Sequence, residues 1–448
     1  MALEKTTEIV EHNKRREAEA VSRKATSADG KSEGEWLFKL PFAGRGMSNV
    51  RLSTGEIANF AVSVTALDPA PGDLVLDLGA GSCWVSEWLN RLLVNTVSLD
   101  YAHDMLAIGQ DRLGPGAKLT VGDFEKLPFV ANTFDGAICL SALHHVPDIP
   151  AALREIRRVL KPDGAVVFSE PGAGHSTHPQ SRAERNELGV LERDIVVDEL
   201  LDECLAAGFT SVNVQPNVFP PPFYDYETWL AMERATAPVG SPDASVVQAL
   251  SALAKAMLRR GRVEFGRLAE VLLGRGGAGR TSGPPVPSDV VLGWQSLLAF
   301  RNAVRGHPLV IARNAARAPD SRRPGILNAE IATAGVPGSV LPGAAFTIQA
   351  RVKNTGDTLW LHAPSPLGGH VALGAKLVDR DGLALVYDYG RGLLPADIAP
   401  GETASIDIAL MAPSQPGYYQ VKLDMVDECI VWFEHRGSQP VLTPLEVL

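Results

Sequence analysis

The stretch Leu74-Val75-Leu76-Asp77-Leu78-Gly79-Ala80-Gly81-Ser82-Cys83-Trp84 decides the fold. A short apolar run entering a Gly-x-Gly turn reads as a buried strand followed by a helix N-terminus. Glycines there let the backbone approach a ligand closely, and the helix start offers unpaired N–H groups. A nicotinamide fingerprint wants another glycine at position 84, where Trp84 stands, so a dinucleotide is disfavoured. Asp77, two positions before the first glycine, suits a ligand's ammonium group better than a pyrophosphate.

Outward from this stretch, helix and strand patterns alternate. IANFAVSVTAL (57–67) precedes it as a helix and WVSEWLNRLL (84–93) follows. TVSLD (96–100), KLTVGD (118–123), AICLSAL (137–143), AVVFSEP (165–171) and TSVNVQP (210–216) read as further strands. Between them lie the helical patterns DMLAIGQDRL (104–113), IPAALREIRRVL (149–160, stopped by Lys161-Pro162-Asp163-Gly164) and VVDELLDECLAAGF (196–209). Strands spaced by such helices specify a parallel, doubly wound sheet, the Rossmann-like α/β class. Residues 225–305 are helical in pattern, broken by RGGAGRTSGPPVP (275–287). HPLVIAR (307–313) is short and apolar enough for one more strand of the same sheet.

After residue 325 helical periodicity stops. AFTIQARV (345–352), HVALGAKLVD (370–379), TASIDIALMA (403–412) and YYQVKLDMV (418–426) are strand-like runs bounded by NTGD, DRDG, APGE and SQPG. Turn signals at that spacing predict an all-β sandwich of Ig-like type. The expected division is a polar tail or helix over 1–35, a core over 36–224, a helical cap over 225–305, a last core strand and linker over 306–325, and the sandwich over 326–448.

Composition narrows the classes. Of 448 residues 45% are apolar and 21% charged, which is globular. With 42 basic against 52 acidic residues the net charge is −10, so nucleic acid and anionic membrane are poor partners. Cys83, Cys139, Cys204 and Cys429 are scattered without a C-x-x-C, which argues against disulfides or structural zinc. The charged start MALEKTTEIVEHNKRREAEA is unlike a signal peptide, and no apolar run reaches membrane-spanning length. A cytoplasmic protein is expected, of unspecified oligomeric state.

The elements LVLDLGAG, VSLD, VGDFEKLPFVANTFDGAICLSALHHV and LREIRRVLKPDGAVVFSEP, in this order over residues 70–171, resemble the class I S-adenosylmethionine-dependent methyltransferases. The pattern is most similar to their ubiquinone-biosynthesis-type branch. The resemblance implies a seven-stranded sheet and S-adenosylmethionine as cofactor. By position, Asp77, Gly79 and Gly81 would hold the methionine part. Asp100, with Tyr101 beside it, would hold the ribose, and Asp123 and Phe124 would flank the adenine. Ser141 to His145 would border the sulfonium and the substrate. Cys83 departs from the pattern where many members carry a third glycine. The family's seventh strand is antiparallel; if HPLVIAR is that strand, residues 225–305 are an insertion able to roof the substrate side.

Each assignment has a plainer alternative. Asp77, Asp100 and Asp123 can each be strand-end residues satisfied by turns, although three in register favour one ligand. His145 and His175 are the candidate bases for an acceptor hydroxyl, histidine being best poised at neutral pH, against roles in loop packing. A metal site from Glu170, His175 and His178 has poor ligand spacing, so no metal is expected. Glu187, Glu192, Arg193 and Asp194 either line the acceptor pocket or are surface charges at a helix start. Arg259, Arg260, Arg262, Arg267, Arg275 and Arg280 form either a solvated helix face or a patch for an anionic, lipid-linked substrate.

The C-terminal segments NTGDTLW, LPADIAPGE and WFEHRGS resemble β-sandwich domains appended to bacterial enzymes of cell-surface polysaccharide synthesis. Trp360, Tyr387, Tyr389, Tyr418, Tyr419 and Trp432 are either its core or stacking faces for sugars. The resulting expectation is methyl transfer to a hydroxyl of a sugar, glycan or glycolipid. A free small-molecule acceptor and a non-catalytic glycan-binding scaffold are the alternatives. The serine-hydrolase elbow Gly-x-Ser-x-Gly is missing, and Gly30-Lys31-Ser32 lacks the first glycine of the nucleotide-binding loop, Ala25 standing in its place.

Overall fold

A computed structural model describes residues 19, 39–42, 49–217 and 304–448. The expected N-terminal tail, most of the helical cap and its arginine patch lie outside the described residues.

The first unit begins with α1 (Asn49–Leu67), β1 (Leu74–Leu78), α2 (Trp84–Arg91), β2 (Asn95–Asp100), α3 (His103–Leu113), β3 (Leu119–Val121) and β4 (Phe134–Leu140). It continues with α4 (Ile149–Val159), β5 (Leu160–Ser169), α5 (Pro179–Leu188), α6 (Val197–Ala207), β6 (Ser211–Pro216) and β7 (Pro308–Arg313). The strands form one sheet in the order β3-β2-β1-β4-β5-β7-β6. β1 to β5 run parallel, whereas β7 is antiparallel to both β5 and β6. HPLVIAR therefore enters between β5 and β6. Lys161-Pro162-Asp163-Gly164 is an irregularity within β5 rather than a separate turn, because Leu160 already pairs with Phe134.

Nearly continuous burial along β1 requires cover on both faces of the sheet. On one face α1 and α2 supply Phe60, Leu67, Trp84 and Leu89 against Val75, Ile138 and Val167. On the other, α4 and α6 supply Leu153, Ile156, Leu200 and Cys204 against Leu76, Phe134 and Phe168. Trp84, which displaces the glycine of a nicotinamide fingerprint, meets Trp88 edge-on at 6.0 Å and Phe60 at 5.8 Å. Helix α4 starts where Asp148 Oδ1 accepts the Ala151 N–H at 2.9 Å, with Pro150 in the first turn.

The C-terminal unit is all-β, in two sheets. One runs β13 (Thr403–Met411), β10 (Ala345–Asn354), β8 (Ala329–Ala334). The other runs β12 (Ala384–Leu393), β11 (Val371–Val378), β14 (Gly417–Asp427), β16 (Val441–Val447), β9 (Ser339–Val340), with β15 (Val431–Trp432) on β14. Strict alternation in β10 sends Ile348 and Val352 into a core shared with Leu373, Leu423 and Met425 of the second sheet. Trp360 and Trp432 are core, and Tyr389 donates to the Met411 carbonyl, whereas Tyr387 and Tyr418 are exposed. The connecting segment is stitched to the first unit. Arg323 and Arg322 (Nη1 to Oδ1, 3.4 Å) both reach the buried Asp73, and Arg317 Nη1 donates to the Asp68 carbonyl at 3.1 Å.

Candidate active site

The carboxyl ends of β1 to β4 open on one cleft of about 220 Å³. Gly79 and Gly81 follow β1; Asp100, Tyr101 and Ala102 follow β2. Gly122, Asp123 and Phe124 come from β3, and Ser141, Ala142, His145, Val146 and Pro147 from β4. Gly79 must be glycine: its φ is +68°, and an added Cβ would lie 2.3 Å from the Ala142 Cβ. The Gly79 and Ala80 N–H groups donate to the Leu99 carbonyl, at 2.9 and 3.0 Å, tying the turn to β2.

Asp100 is held at both oxygens. Oδ2 accepts the Gly81 N–H and Oδ1 the Ala102 N–H, each at 2.8 Å. Burial raises its pKa although these N–H groups pull the other way. Each oxygen keeps lone-pair capacity towards the cleft, as a pair of vicinal hydroxyls requires. Asp123 Oδ1 accepts the Glu125 N–H at 2.9 Å, and the Phe124 ring is buried beside Gly79. Ser141 sits at φ +54°, its N–H donating to the Ser169 carbonyl at 2.9 Å.

Asp77 is placed differently from the expectation. It does not border the cleft; its Oδ2 accepts the Ser86 hydroxyl at 2.7 Å and the Ser86 N–H at 3.2 Å, and Ser86 in turn meets Ser98. Burial pushes its carboxyl up to about 7. Asp77 therefore anchors α2 to the sheet beneath the glycine turn, because Ser86 of α2 reaches it and is itself held by Ser98 of β2.

The two candidate bases also separate. His145 lines the cleft, with Nδ1 donating to the Leu191 carbonyl at 2.7 Å. Burial, then the charge of His144, lowers its pKa to about 3, so the ring is neutral and a weak proton acceptor. His175 stands off the cleft, Nε2 lying 2.6 Å from Glu192 Oε2. Asp194 accepts the Gly174 and Ser176 N–H groups of the loop after β5, Arg193 donates to the Val146 carbonyl, and Glu187 is exposed. Of these four only Glu192 belongs to the histidine cluster.

Glu170 is the residue that sequence reasoning undervalued. It is fully buried at the end of β5, and its Oε1 accepts the Ala142 and Leu143 N–H groups, both at 3.0 Å. Its Oε2 lies 2.8 Å from His144 Nδ1. Glu170 thus fixes the turn that carries Ser141 to His145, and no grouping with His178 forms. The available signal was its position directly after the buried run AVVFS, where a charge must be partnered. The returning chain packs here too: the Gly172 N–H donates to the Gly306 carbonyl at 2.9 Å, and His307 Nε2 lies 2.8 Å from Ser169 Oγ.

Residues 76–168 match the family described as a methyltransferase domain. Over 112 residues the chain is 37% identical to a demethylmenaquinone methyltransferase of Thermobifida fusca (strain YX), covering 24% of this chain and 48% of that protein. The corresponding protein of Streptomyces griseus subsp. griseus is 35% identical over 139 residues, 30% of this chain and 60% of that one. The chain thus spans about half the length of the curated relatives it matches. Among solved structures, an S-adenosylmethionine-dependent methyltransferase from Mesorhizobium loti shares 23% identity over 36% of this chain and 86% of that one, at a TM-score of 0.31.

The residues present fit the cofactor that the family match implies. Asp100 offers two anchored acceptors, Phe124 an aromatic face and Asp123 an acceptor, around a turn that only glycine at position 79 permits. Residues 76–168 are a methyltransferase domain, and its cofactor is S-adenosylmethionine.

Proposed function

We propose that the chain methylates a small molecule of the quinone class, bound at the mouth of the cleft between Ser141 and Pro147. The observation that carries the reading is one cleft that brings together an anchored carboxylate, an aromatic ring and the Ser141–Pro147 turn. The relatives' printed substrate, demethylmenaquinone, favours this acceptor class over a sugar. A sugar acceptor rested on the C-terminal resemblance, and no contact among the described residues favours it.

The cofactor, when bound, supplies an already activated methyl group, so the chain's task is to hold and align two reactants. Asp100 would orient the ribose hydroxyls, with Tyr101 beside it. Asp123 and Phe124 would seat the adenine, while Gly79 and Gly81 admit the methionine part and Ser141 borders the sulfonium. His145, kept neutral, would accept a hydrogen bond from the acceptor and orient it, and its weak basicity makes it a positioning residue. His175 acts at one remove, through Glu192. We also read 326–448 as an Ig-like β-sandwich appended to a core of 36–224 and 306–325. Cytoplasmic placement fits the free, buried thiols of Cys83, Cys139 and Cys204. Among the described residues no helix is long and apolar enough to cross a membrane.

Calorimetric titration of S-adenosylmethionine into wild type and Asp100→Ala tests the reading. Loss of hydrogen bonds to a charged acceptor should weaken binding by about 1.5–3 kcal/mol. Turnover of reduced quinones but not of free sugars should follow. No heat from folded wild type at millimolar ligand would sink the proposal.

A further inference from the structure

The cofactor cleft opens at the carboxyl ends of the strands. A second cavity, of about 440 Å³, opens at the opposite end of the sheet, where Gly72 precedes β1 and Asn95 and Thr96 begin β2. It shares no lining residue with the cleft. We propose that this cavity binds a small amphipathic organic anion, a carboxylate or sulfonate on an apolar body, at the joint between the two units. Its volume lies within the range of about 300–1,000 Å³ common to small-molecule sites.

The apolar wall carries a cost that the fold alone does not repay. Helix α2 ends in a Schellman turn, with the Val94 N–H donating to the Leu89 carbonyl at 3.1 Å and the Leu93 N–H to the Asn90 carbonyl at 3.0 Å. Position 93 therefore takes φ +64°, where glycine is the usual residue and leucine is strained. Leu93 is also 57% exposed, so the strain is not offset by burial of its side chain. An apolar body seated against Leu93 supplies that burial. Leu367 of the C-terminal unit, 40% exposed, lines the same cavity and sits against Gly72. Its turn is fixed by Ser365, whose Oγ accepts the Leu367 N–H at 3.1 Å and whose carbonyl accepts the Gly368 N–H at 3.0 Å. Leu113 of α3 adds a third leucine. Leucines gathered from three elements around one concavity mark a ligand groove rather than scattered surface residues.

The polar lining sets the sign of the ligand. Lys118 lines the cavity, and among the described residues its ammonium has no carboxylate partner. Asn90 Oδ1 accepts the Thr96 hydroxyl at 3.0 Å, which leaves the Asn90 amide N–H groups to donate. No acidic side chain lines the cavity. One cation and an amide donor without a carboxylate select an anion. The site goes beyond the proposed methyl transfer, and no step of that reaction passes through it.

The test titrates the full chain with the fluorescent probe anilinonaphthalene sulfonate, with decanoate as competitor. The expected result is one probe per chain at a Kd below roughly 100 µM, displaced by decanoate and not by S-adenosylmethionine. Lys118→Met, which keeps the apolar stem and removes the charge, should weaken the probe roughly ten- to a hundredfold. Leu93→Gly should weaken it roughly five- to twentyfold without lowering the melting temperature, since glycine suits that backbone. A purely structural leucine would give the reverse pattern. Lys118→Met, on the surface, decides even where Leu93→Gly proves less stable. The absence of a saturable site below about 1 mM in folded wild type, displacement by S-adenosylmethionine, or unchanged affinity in Lys118→Met would overturn the proposal. So would a dimer that Leu93→Asp dissociates in sedimentation, because the leucines would then face a second copy of the chain.

Discussion

Glu170 is fully buried, and burial by itself would raise its carboxyl. The His144 imidazole and the Leu143 and Ala142 N–H groups outweigh that and hold the group below the ordinary glutamate range. A carboxylate depressed in the fold stabilises above its unfolded pKa, and that contribution is lost as pH falls through the lower folded value. Glu170→Gln should therefore cost about 1.5–3 kcal/mol near neutrality, with the deficit shrinking in acid, read by urea unfolding across pH. Asp427 is the opposite case. Neither of its oxygens has a hydrogen-bond partner, and burial, then the charges of Asp320 and Glu428, pushes it up to about 8. Between its ordinary value and about 8 the native state keeps a proton that the unfolded chain has released, so stability falls as pH rises through that window. Asp427→Asn should be neutral near pH 4 and more stable than wild type by about 1–3 kcal/mol near pH 8, in the same unfolding assay. These details were beyond the sequence for one physical reason. A carboxylate's direction depends on partners contributed by other elements, as Ser86, itself held by Ser98, turns Asp77 inward.

At the scale of elements, the sequence was far more informative. Every strand of the first sheet was legible, since buried parallel strands are unbroken apolar runs between glycine turns and amphipathic helices. The histidine–carboxylate cluster was not, because residues 144, 170, 175 and 192 meet only after three separate loops close. Helix contacts hide another dependence. Cys83 occupies the place where many methyltransferases of this class carry glycine, with φ +59°, and its Sγ lies 2.3 Å from where a Cβ on Gly109 would be. Helix α3 can thus approach α2 only because position 109 has no side chain. Gly109→Ala should destabilise by about 1–3 kcal/mol through overpacking. Adding Cys83→Gly should recover part of the loss, a coupling that a double-mutant cycle measures.

Across the whole molecule, Asp73 is the joint between the two units. It is buried in the turn before β1, accepts the Ala70 N–H at 2.9 Å, and meets Arg322 and Arg323 of the connecting segment. Removing Arg323 leaves Asp73 to Arg322 at 3.4 Å and the Ala70 N–H, so Arg323→Ala should cost about 1.5–3 kcal/mol and split thermal unfolding into two calorimetric transitions. The strand order has a consequence for the chain while it is being made. β7 lies between β5 and β6, yet it is the last strand of its sheet to leave the ribosome. Until residue 313 emerges, β5 presents a bare edge and β6 has nothing in the sheet to pair with. At about 5–20 residues per second the interval between β6 and the end of β7 lasts about 5–20 seconds. A nascent chain stalled before residue 308 is accordingly the form of this protein that most needs a chaperone.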